Sequence, residues 1–229
     1  MEEVPRLVFR IQKYACLVFS LLIVFYTWDA QANTSALGLD PQKLILQATE
    51  LKPEALILAI RAYQNAAERG YVKKPYLTVI DYSKPSSQKR LWIFDLQQQK
   101  VLYELHVTHG KNSGLQMATA FSNTLNSLQT SLGAFVTEET YNGRNGYSLR
   151  LDGLEPGVND NAKIRGIVIH GAPYASEHFA QQYGRLGLSW GCPAIDNAIN
   201  AEVIELLKEG SVVYSYSDHA PHLTQASAS

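Results

Sequence analysis

Cysteine is scarce in this sequence: its 229 residues include two, Cys16 and Cys192. Cys16 lies inside an apolar N-terminal stretch, and removal of that stretch would leave Cys192 alone. Exported proteins usually use cysteines in pairs, as disulfides. Because a lone cysteine cannot form a disulfide within its own chain, Cys192 is expected to be buried and inert, to pair with another chain, or to do chemistry.

An excess of charge of either sign is also missing. The chain has 20 Lys and Arg against 21 Asp and Glu, which gives a formal net charge of -1. A nucleic-acid partner requires a basic face, so nucleic acid is not expected as a partner. Beyond the N-terminus no run is as long and apolar as a membrane span, which needs about 20 residues. No stable span is therefore expected after processing.

Residues 1–32 have the pattern of a secretory signal peptide. Three basic residues precede an almost unbroken apolar stretch over 14–28, and Ala30-Gln31-Ala32 is a small-x-small cleavage site. We expect cleavage after Ala32 and export to the periplasm or cell envelope. An uncleaved membrane anchor is the alternative interpretation.

A helical hairpin is expected over residues 33–72. Asp40-Pro41 is typical of a helix start, and the first helix should run to about residue 50. Pro53 begins a second helix, whose apolar residues recur at helical spacing until Gly70 ends it. The apolar face of this hairpin is expected to dock on the domain that follows.

A mainly β (α+β) domain is expected over residues 73–217, because the apolar period changes to two from Tyr76 onward. The strand candidates are 76–82, 91–96, 101–107, 133–137, 147–151, 164–170 and 211–216, and the sequence predicts one C-terminal helix over 198–208. No alternation of strand and helix is visible, so the helices should be peripheral. A flexible tail is expected over 218–229.

The surroundings of Cys192 favour chemistry. The cysteine lies in a loop of sequence Gly-Leu-Ser-Trp-Gly-Cys-Pro, and His170 ends an apolar strand candidate 22 residues upstream. Near pH 7 a thiol is only a few per cent thiolate, so a nucleophilic cysteine needs a neighbouring base. His170 is the best candidate for that base.

Three neighbours of this pair have expected supporting roles. The carbonyl of Gly171 could accept from the imidazole and fix its tautomer. The N–H groups of Gly191 and Cys192 could point at a developing oxyanion, and Ser189 could hydrogen-bond across the loop and hold its shape. The alternative for both Cys192 and His170 is an ordinary structural residue.

Two other chemistries compete with a cysteine nucleophile. The same loop contains Gly-x-Ser-x-Gly, and Ser189 with Asp196 or Asp218 and His219 or His222 could complete a serine triad. That arrangement needs a parallel α/β sheet, which the sequence does not predict.

Zinc binding is the second competitor, with His106, His109, His170 and Cys192 as possible ligands. His106 and His109 are three residues apart in a predicted strand, so they should face opposite sides. Neither a metal nor a cofactor is therefore expected.

The pairing of a strand-end His-Gly with Ser-x-Gly-Cys resembles the YkuD-type L,D-transpeptidases, and most closely the murein L,D-transpeptidase catalytic-domain proteins. The resemblance covers about residues 40–217. It includes, in order, segments 77–83, 89–96, 108–114, 121–123, 131–133 and 146–154. It implies a YkuD-like β domain.

The resemblance also implies a peptidoglycan stem peptide as substrate. Cys192 would attack the carbonyl of the third-position diamino acid, His170 would act as base, and the terminal D-alanine would leave. The amine of a second stem would then resolve the thioester and form a crosslink. Resolution by water, as in an L,D-carboxypeptidase, and a non-catalytic wall-binding module are the alternatives. Inhibition by carbapenems is a further implication.

The chain departs from the family pattern at two places. Trp190 stands where most YkuD-type enzymes have the histidine of Ser-His-Gly-Cys, and Pro193-Ala194 stand where an arginine or asparagine is common. Trp190 is a candidate for stacking on the stem peptide, and Arg185 for binding a substrate carboxylate. His109, in a Gly-flanked loop, is a candidate second histidine that approaches from elsewhere.

Overall fold

The computed structural model describes residues 38–220. The expected signal peptide with its cleavage site, the start of the expected hairpin segment and residue 222 lie outside these residues, as does most of the expected tail. Within residues 38–220, no helix has the length and apolar character needed to cross a membrane.

Four α-helices, one short 3-10 helix and eight strands make up the described part of the chain. In chain order they are α1 (Pro41–Gln47), α2 (Pro53–Glu68), β1 (Tyr76–Asp81), β2 (Leu91–Asp95), β3 (Lys100–Leu105), β4 (Gly133–Gly143), β5 (Gly146–Gly153), β6 (Val168–Gly171), the 3-10 helix Pro173–Ala175, α3 (Glu177–Tyr183), β7 (Ala194–Ile195), α4 (Asn197–Leu207) and β8 (Val212–Tyr216).

All eight strands join one sheet in the order β3-β2-β1-β8-β4-β5-β6-β7. The pairs β1–β8 and β6–β7 are parallel, and the other neighbours are antiparallel. The segment after β3 hydrogen-bonds to the segment of β7: Thr108 N donates to Ala194 O at 2.9 Å, and Ser189 N donates to His109 O at 3.0 Å. The sheet is therefore barrel-like, and the predicted mainly β domain is confirmed.

The two N-terminal helices begin where the sequence predicted. Asp40 caps α1 by accepting the N–H groups of Gln42 and Lys43 at 3.0 and 3.3 Å, which satisfies donors that a helix start leaves open. α2 packs its apolar face on β1 and β8. A hydrogen bond of 3.1 Å from Tyr216 to Glu54 joins the helix to β8.

The apolar core supports the strands that carry the candidate site. Ile169 directly precedes His170, and Ile195 follows Cys192 by three residues. Both belong, with Ile167, to one buried apolar cluster that also contains Phe135 and Leu149. Full burial of one such side chain stabilises a fold by about 1.5–3 kcal/mol. The packing of these side chains in the core therefore fixes the ends of β6 and β7.

The strand predicted over residues 164–170 is shorter than expected, because β6 begins at Val168. Turns precede it: Gly166 N donates to Lys163 O at 3.0 Å, and Ile167 N donates to Ala162 O at 3.0 Å. Gly166 has a φ of 67°, a conformation that a strand does not accommodate. Residues 164–166 therefore form a turn beside the sheet. The sequence also gave no sign of β7, α3 or the 3-10 helix.

Candidate active site

The parallel pair β6–β7 brings residues 187–193, here called the cysteine loop, to the end of the strand that carries His170. His170 is the register partner of Ala194, and Cys192 lies two residues before Ala194. The Val168 backbone N–H hydrogen-bonds the Cys192 sulfur, and the thiol donates to Gly166 O at 3.5 Å. The sulfur thus lies beside β6, two residues before the histidine.

The imidazole of His170 is held in one tautomer. Nδ1 lies 2.9 Å from Gly171 O, and because a carbonyl can only accept, Nδ1 carries the proton. Nε2 is then the basic nitrogen. Burial lowers the pKa of His170 below 6.5, and the bond to Gly171 opposes this only in part. His170 is therefore neutral at pH 7.

The thiol of Cys192 is also neutral at rest. Burial raises its pKa above 9.0, while the Val168 N–H and the charge of Arg165 act in the opposite direction. The residue is 8% exposed. A neutral thiol attacks only if a base takes its proton, and the fixed Nε2 of His170 is the candidate for that base.

Ser189 holds the cysteine loop from inside. Its hydroxyl donates to Cys192 O at 2.6 Å and accepts from Gly191 N at 3.1 Å. Thr108 adds a second contact, since its hydroxyl donates to Cys192 O at 3.4 Å and accepts from Ala194 N at 3.1 Å. Ser189 is buried and engaged in structure, so it is not placed as a nucleophile.

The prediction that the Gly191 N–H is an oxyanion donor is wrong in this geometry. Its N–H already donates to Ser189, which leaves the Cys192 N–H as the candidate donor. The glycine is nonetheless required: its φ is 119°, and a Cβ would lie 2.7 Å from Gln129 O. The close approach that the glycine permits is made by another loop of the chain, not by open space for substrate.

His109 does not reach a substrate, which corrects the prediction that it could. It is fully buried, its Nδ1 accepts from Arg90 Nη2 at 2.8 Å, and its Nε2 donates to Gly114 O at 3.1 Å. Burial first, and then the charge of Arg90, lowers its pKa to about 4. His109 is a neutral structural residue that joins the segment after β3 to the following loop.

Arg185 and Trp190, the two candidate substrate contacts, differ in solvent exposure. Arg185 is half-buried and donates to Leu186 O at 2.8 Å, and its charge helps lower the pKa of His109. Trp190 is 65% exposed, and the ammonium group of Lys111 lies 5.8 Å from its ring centroid. An exposed indole thus stands two residues before Cys192, with a cation beside it.

Two neighbours of Cys192 were missed at the sequence level. The charge of a Cys192 thiolate raises the pKa of both Arg165 and Tyr174, although burial is the larger effect on each and lowers that of Arg165. The sequence did give a signal for Tyr174 as a neighbour of the site, because this residue follows the strand-end His170 by four positions. Arg165 gave none, because the sequence placed it inside a strand.

The possible zinc ligands do not converge. Among residues 38–220, no group of three or more His, Cys, Asp or Glu side chains is placed to hold a metal ion. His106 contacts Ser87 O at 3.1 Å, and both nitrogens of His109 are engaged as described above.

A family model described as the L,D-transpeptidase catalytic domain matches residues 47–216, more than half of the chain. No curated protein sequence matches.

Solved structures of L,D-transpeptidases resemble the chain weakly. One from Mycobacterium smegmatis is 14% identical with a TM-score of 0.40, and the match covers 62% of this chain and 58% of that one. One from Stackebrandtia nassauensis is 14% identical with a TM-score of 0.38, covering 76% and 74%. One in complex with imipenem is 15% identical with a TM-score of 0.40, covering 62% and 59%. This chain thus spans less than two thirds of the length of the first and third of these proteins.

Proposed function

Because the chain belongs to the L,D-transpeptidase catalytic-domain family, we propose that it is an exported L,D-transpeptidase that crosslinks peptidoglycan stem peptides between third-position diamino acids. The observation that carries the proposal is the placement of the Cys192 sulfur beside β6, two residues before a histidine whose basic nitrogen is fixed. This arrangement supports a nucleophile and a base, and membership of the family supports the substrate class.

The first half-reaction is acylation of Cys192. The sulfur attacks the carbonyl carbon of the third-position residue while Nε2 of His170 takes the thiol proton. The N–H of Cys192 is the candidate donor to the oxyanion that forms. When the tetrahedral intermediate collapses, the proton on His170 passes to the departing amine of D-alanine. A thioester remains.

The second half-reaction releases the enzyme. The amine of a second stem attacks the thioester carbonyl, and His170 takes a proton from that amine. The C–S bond then breaks, and His170 returns the proton to the sulfur to restore the thiol. One amide bond is broken and one is formed, so no nucleotide is needed in the cell envelope. Water in place of the amine would give a tripeptide, which is the L,D-carboxypeptidase outcome.

Trp190 and Lys111 form the candidate contact with the stem peptide. Trp190 lies in the cysteine loop, and the backbone N–H of Lys111 donates to Ser189 O of the same loop at 2.8 Å. An exposed aromatic ring with an adjacent ammonium group suits a peptide that carries carboxylates. Trp190→Ala should raise KM for tetrapeptide several-fold with little change in kcat, and an unchanged KM would remove Trp190 from the binding site.

Mass spectrometry of tetrapeptide stems incubated with the purified protein tests the reaction. Crosslinked dimers with free D-alanine support a transpeptidase, and tripeptides alone support a carboxypeptidase. A Cys192→Ala variant that gives the same products as the unaltered protein would refute both. A non-catalytic module would give no product and an ordinary thiol reactivity at Cys192.

Export is tested separately. The protein recovered from the periplasm or cell envelope of an expressing bacterium is expected to begin at Asn33 when its N-terminus is sequenced. Retention of residues 1–32 would favour the membrane-anchor alternative, and recovery from the cytoplasm alone would refute export.

A further inference from the structure

The guanidinium group of Arg165 fastens a loop of the chain beside the candidate nucleophile. Nη1 donates to Ser122 O at 2.5 Å and also to the hydroxyl of Ser131, while Nη2 donates to Gln129 O at 2.6 Å and to Ser127 Oγ at 3.0 Å. All four acceptors lie in the segment 122–131, here called the clamped loop. A planar fork with several fixed donors suits this task better than a single ammonium group would.

The clamped loop in turn contacts the cysteine loop. A Cβ on Gly191 would lie 2.7 Å from Gln129 O and 3.5 Å from Nη2 of Arg165. On the other side, the Cys192 thiol donates to the carbonyl of Gly166, the residue that follows Arg165. Arg165 and the clamped loop therefore lie against the residue before Cys192, and the residue after Arg165 accepts from the thiol.

Among residues 38–220, no carboxylate forms an ion pair with Arg165. Ion pairs within residues 38–220 involve other cations, and the acceptors of Arg165 are carbonyl and hydroxyl groups. Burial lowers the pKa of Arg165, and a Cys192 thiolate raises it. The guanidinium is half-buried, so its field is screened less than that of a surface charge. A cation without an anion beside a thiol favours the thiolate.

We propose that Arg165 is a positioning residue for Cys192, which fastens the clamped loop against the cysteine loop and stabilises negative charge on the sulfur. This inference rests on the proposed function only in taking Cys192 as the nucleophile. Binding of a substrate carboxylate by Arg165 fits the geometry less well, because four of its N–H donors are already engaged.

The rate of Cys192 alkylation by iodoacetamide, measured against pH, tests the charge. Loss of the charge in Arg165→Gln should raise the alkylation pKa by about one unit. At pH 8 the rate should fall about three- to tenfold, because the smaller thiolate fraction is partly offset by higher intrinsic nucleophilicity. Lys163→Gln is the matched control: it removes an exposed charge two residues away and should leave the pH profile unchanged.

Two further variants separate the charge from the clamp. Arg165→Lys keeps the charge without the fork, so its alkylation pKa should stay within about half a unit of the unaltered protein. The double variant Ser127→Ala, Ser131→Ala removes two acceptors but not the charge. Its clamped loop should be cut faster in limited proteolysis while the alkylation pKa stays in place.

An unchanged alkylation profile in folded Arg165→Gln would overturn the inference. If Arg165→Gln does not fold, a folded Arg165→Lys with an alkylation pKa raised by a full unit would overturn it instead. Alkylation needs no stem peptide, so these outcomes are independent of crosslinking. Absence of crosslinks in the unaltered protein would refute the proposed function alone.

Discussion

His170 donates a hydrogen bond from Nδ1 to the carbonyl oxygen of Gly171, 2.9 Å away. In many cysteine and serine enzymes a side chain from elsewhere orients the catalytic imidazole. Here the orienting group is the next peptide carbonyl of the same strand, so one chain segment fixes both the position and the tautomer of the base.

Replacement of His170 should abolish most of the activity without unfolding the protein. His170→Ala removes the proton acceptor, and loss of a general base lowers kcat by about 10²- to 10⁴-fold. Cys192→Ala should leave no turnover. His178→Ala, which changes an exposed histidine on α3, is the matched control and should keep full activity. Steady-state release of D-alanine measures all three, and a His170→Ala variant with normal kcat would contradict the assignment.

The pH profile of kcat/KM should keep its acid limb below pH 6.5. Attack requires a neutral imidazole, and burial lowers the pKa of His170. As pH falls through that lowered pKa, the imidazole gains a proton and activity is lost. Release of D-alanine measured from pH 4.5 to 8 gives the midpoint. A midpoint above 6.5 would mean that the imidazolium is stabilised in the site, contrary to its burial.

The buried His109 should make the fold less stable in mild acid. Its pKa in the folded protein is about 4, below the ordinary 6.5, so the unfolded chain binds the proton more readily. The free energy of unfolding should therefore decrease by about 2–3 kcal/mol as pH falls from 6.5 to about 4. Urea unfolding at several pH values measures this loss.

His109→Gln is the informative variant for this effect. A glutamine can accept from Arg90 and donate to Gly114 O, but it does not titrate, so much of the pH dependence between 4 and 6.5 should disappear. Alkylation of Cys192 should be unchanged, because His109 does not reach the nucleophile. The same decline of stability in the variant would assign the acid sensitivity to other groups.

Ser189→Ala should both destabilise the protein and slow its chemistry. The change leaves Cys192 O with the longer Thr108 contact and Gly191 N without its acceptor, at a cost of about 1–3 kcal/mol. Ser176→Ala, which removes the N-cap of α3, is the matched control at about 1 kcal/mol. Thermal melts should show a loss in both variants, but only Ser189→Ala should alter the alkylation rate of Cys192.

Imipenem should form a covalent adduct with the protein. Inhibition by carbapenems is what the family implies for this chain, and a cysteine nucleophile with a general base can open a strained lactam. Intact-protein mass spectrometry should show the mass of one added imipenem. The adduct should be absent in Cys192→Ala, and its persistence there would place the reaction at another residue.

Local sequence patterns identified the first two residues of the candidate site, Cys192 and His170. A glycine-framed cysteine and a histidine at the end of an apolar run are visible without coordinates, and so is the carbonyl of Gly171, because it follows His170 directly. Strand periodicity also placed most strands near their observed positions. These features depend on neighbouring residues, which sequence patterns report well.

Contacts between distant segments were not visible in the same way. His109 was interpreted as a loop histidine near substrate, yet Arg90, 19 residues away, holds it in the interior. Arg165 was placed in a strand, whereas the turn that ends at Gly166 directs it towards segment 122–131.

The sequence by itself determined the fold class and the candidate nucleophile and base, because apolar periodicity and the residues beside a reactive group are local properties of the chain. The family followed from the resemblance of several segments in order, which is also a property of the sequence alone. Only the tertiary structure decided which polar groups are free to act. The N–H of Gly191 donates to Ser189, and both nitrogens of His109 are hydrogen-bonded. Arg165 lies against the cysteine loop, and no carboxylate of the described residues pairs with it. Hydrogen-bond occupancy and burial depend on which distant segments the fold brings together, and no local pattern records that.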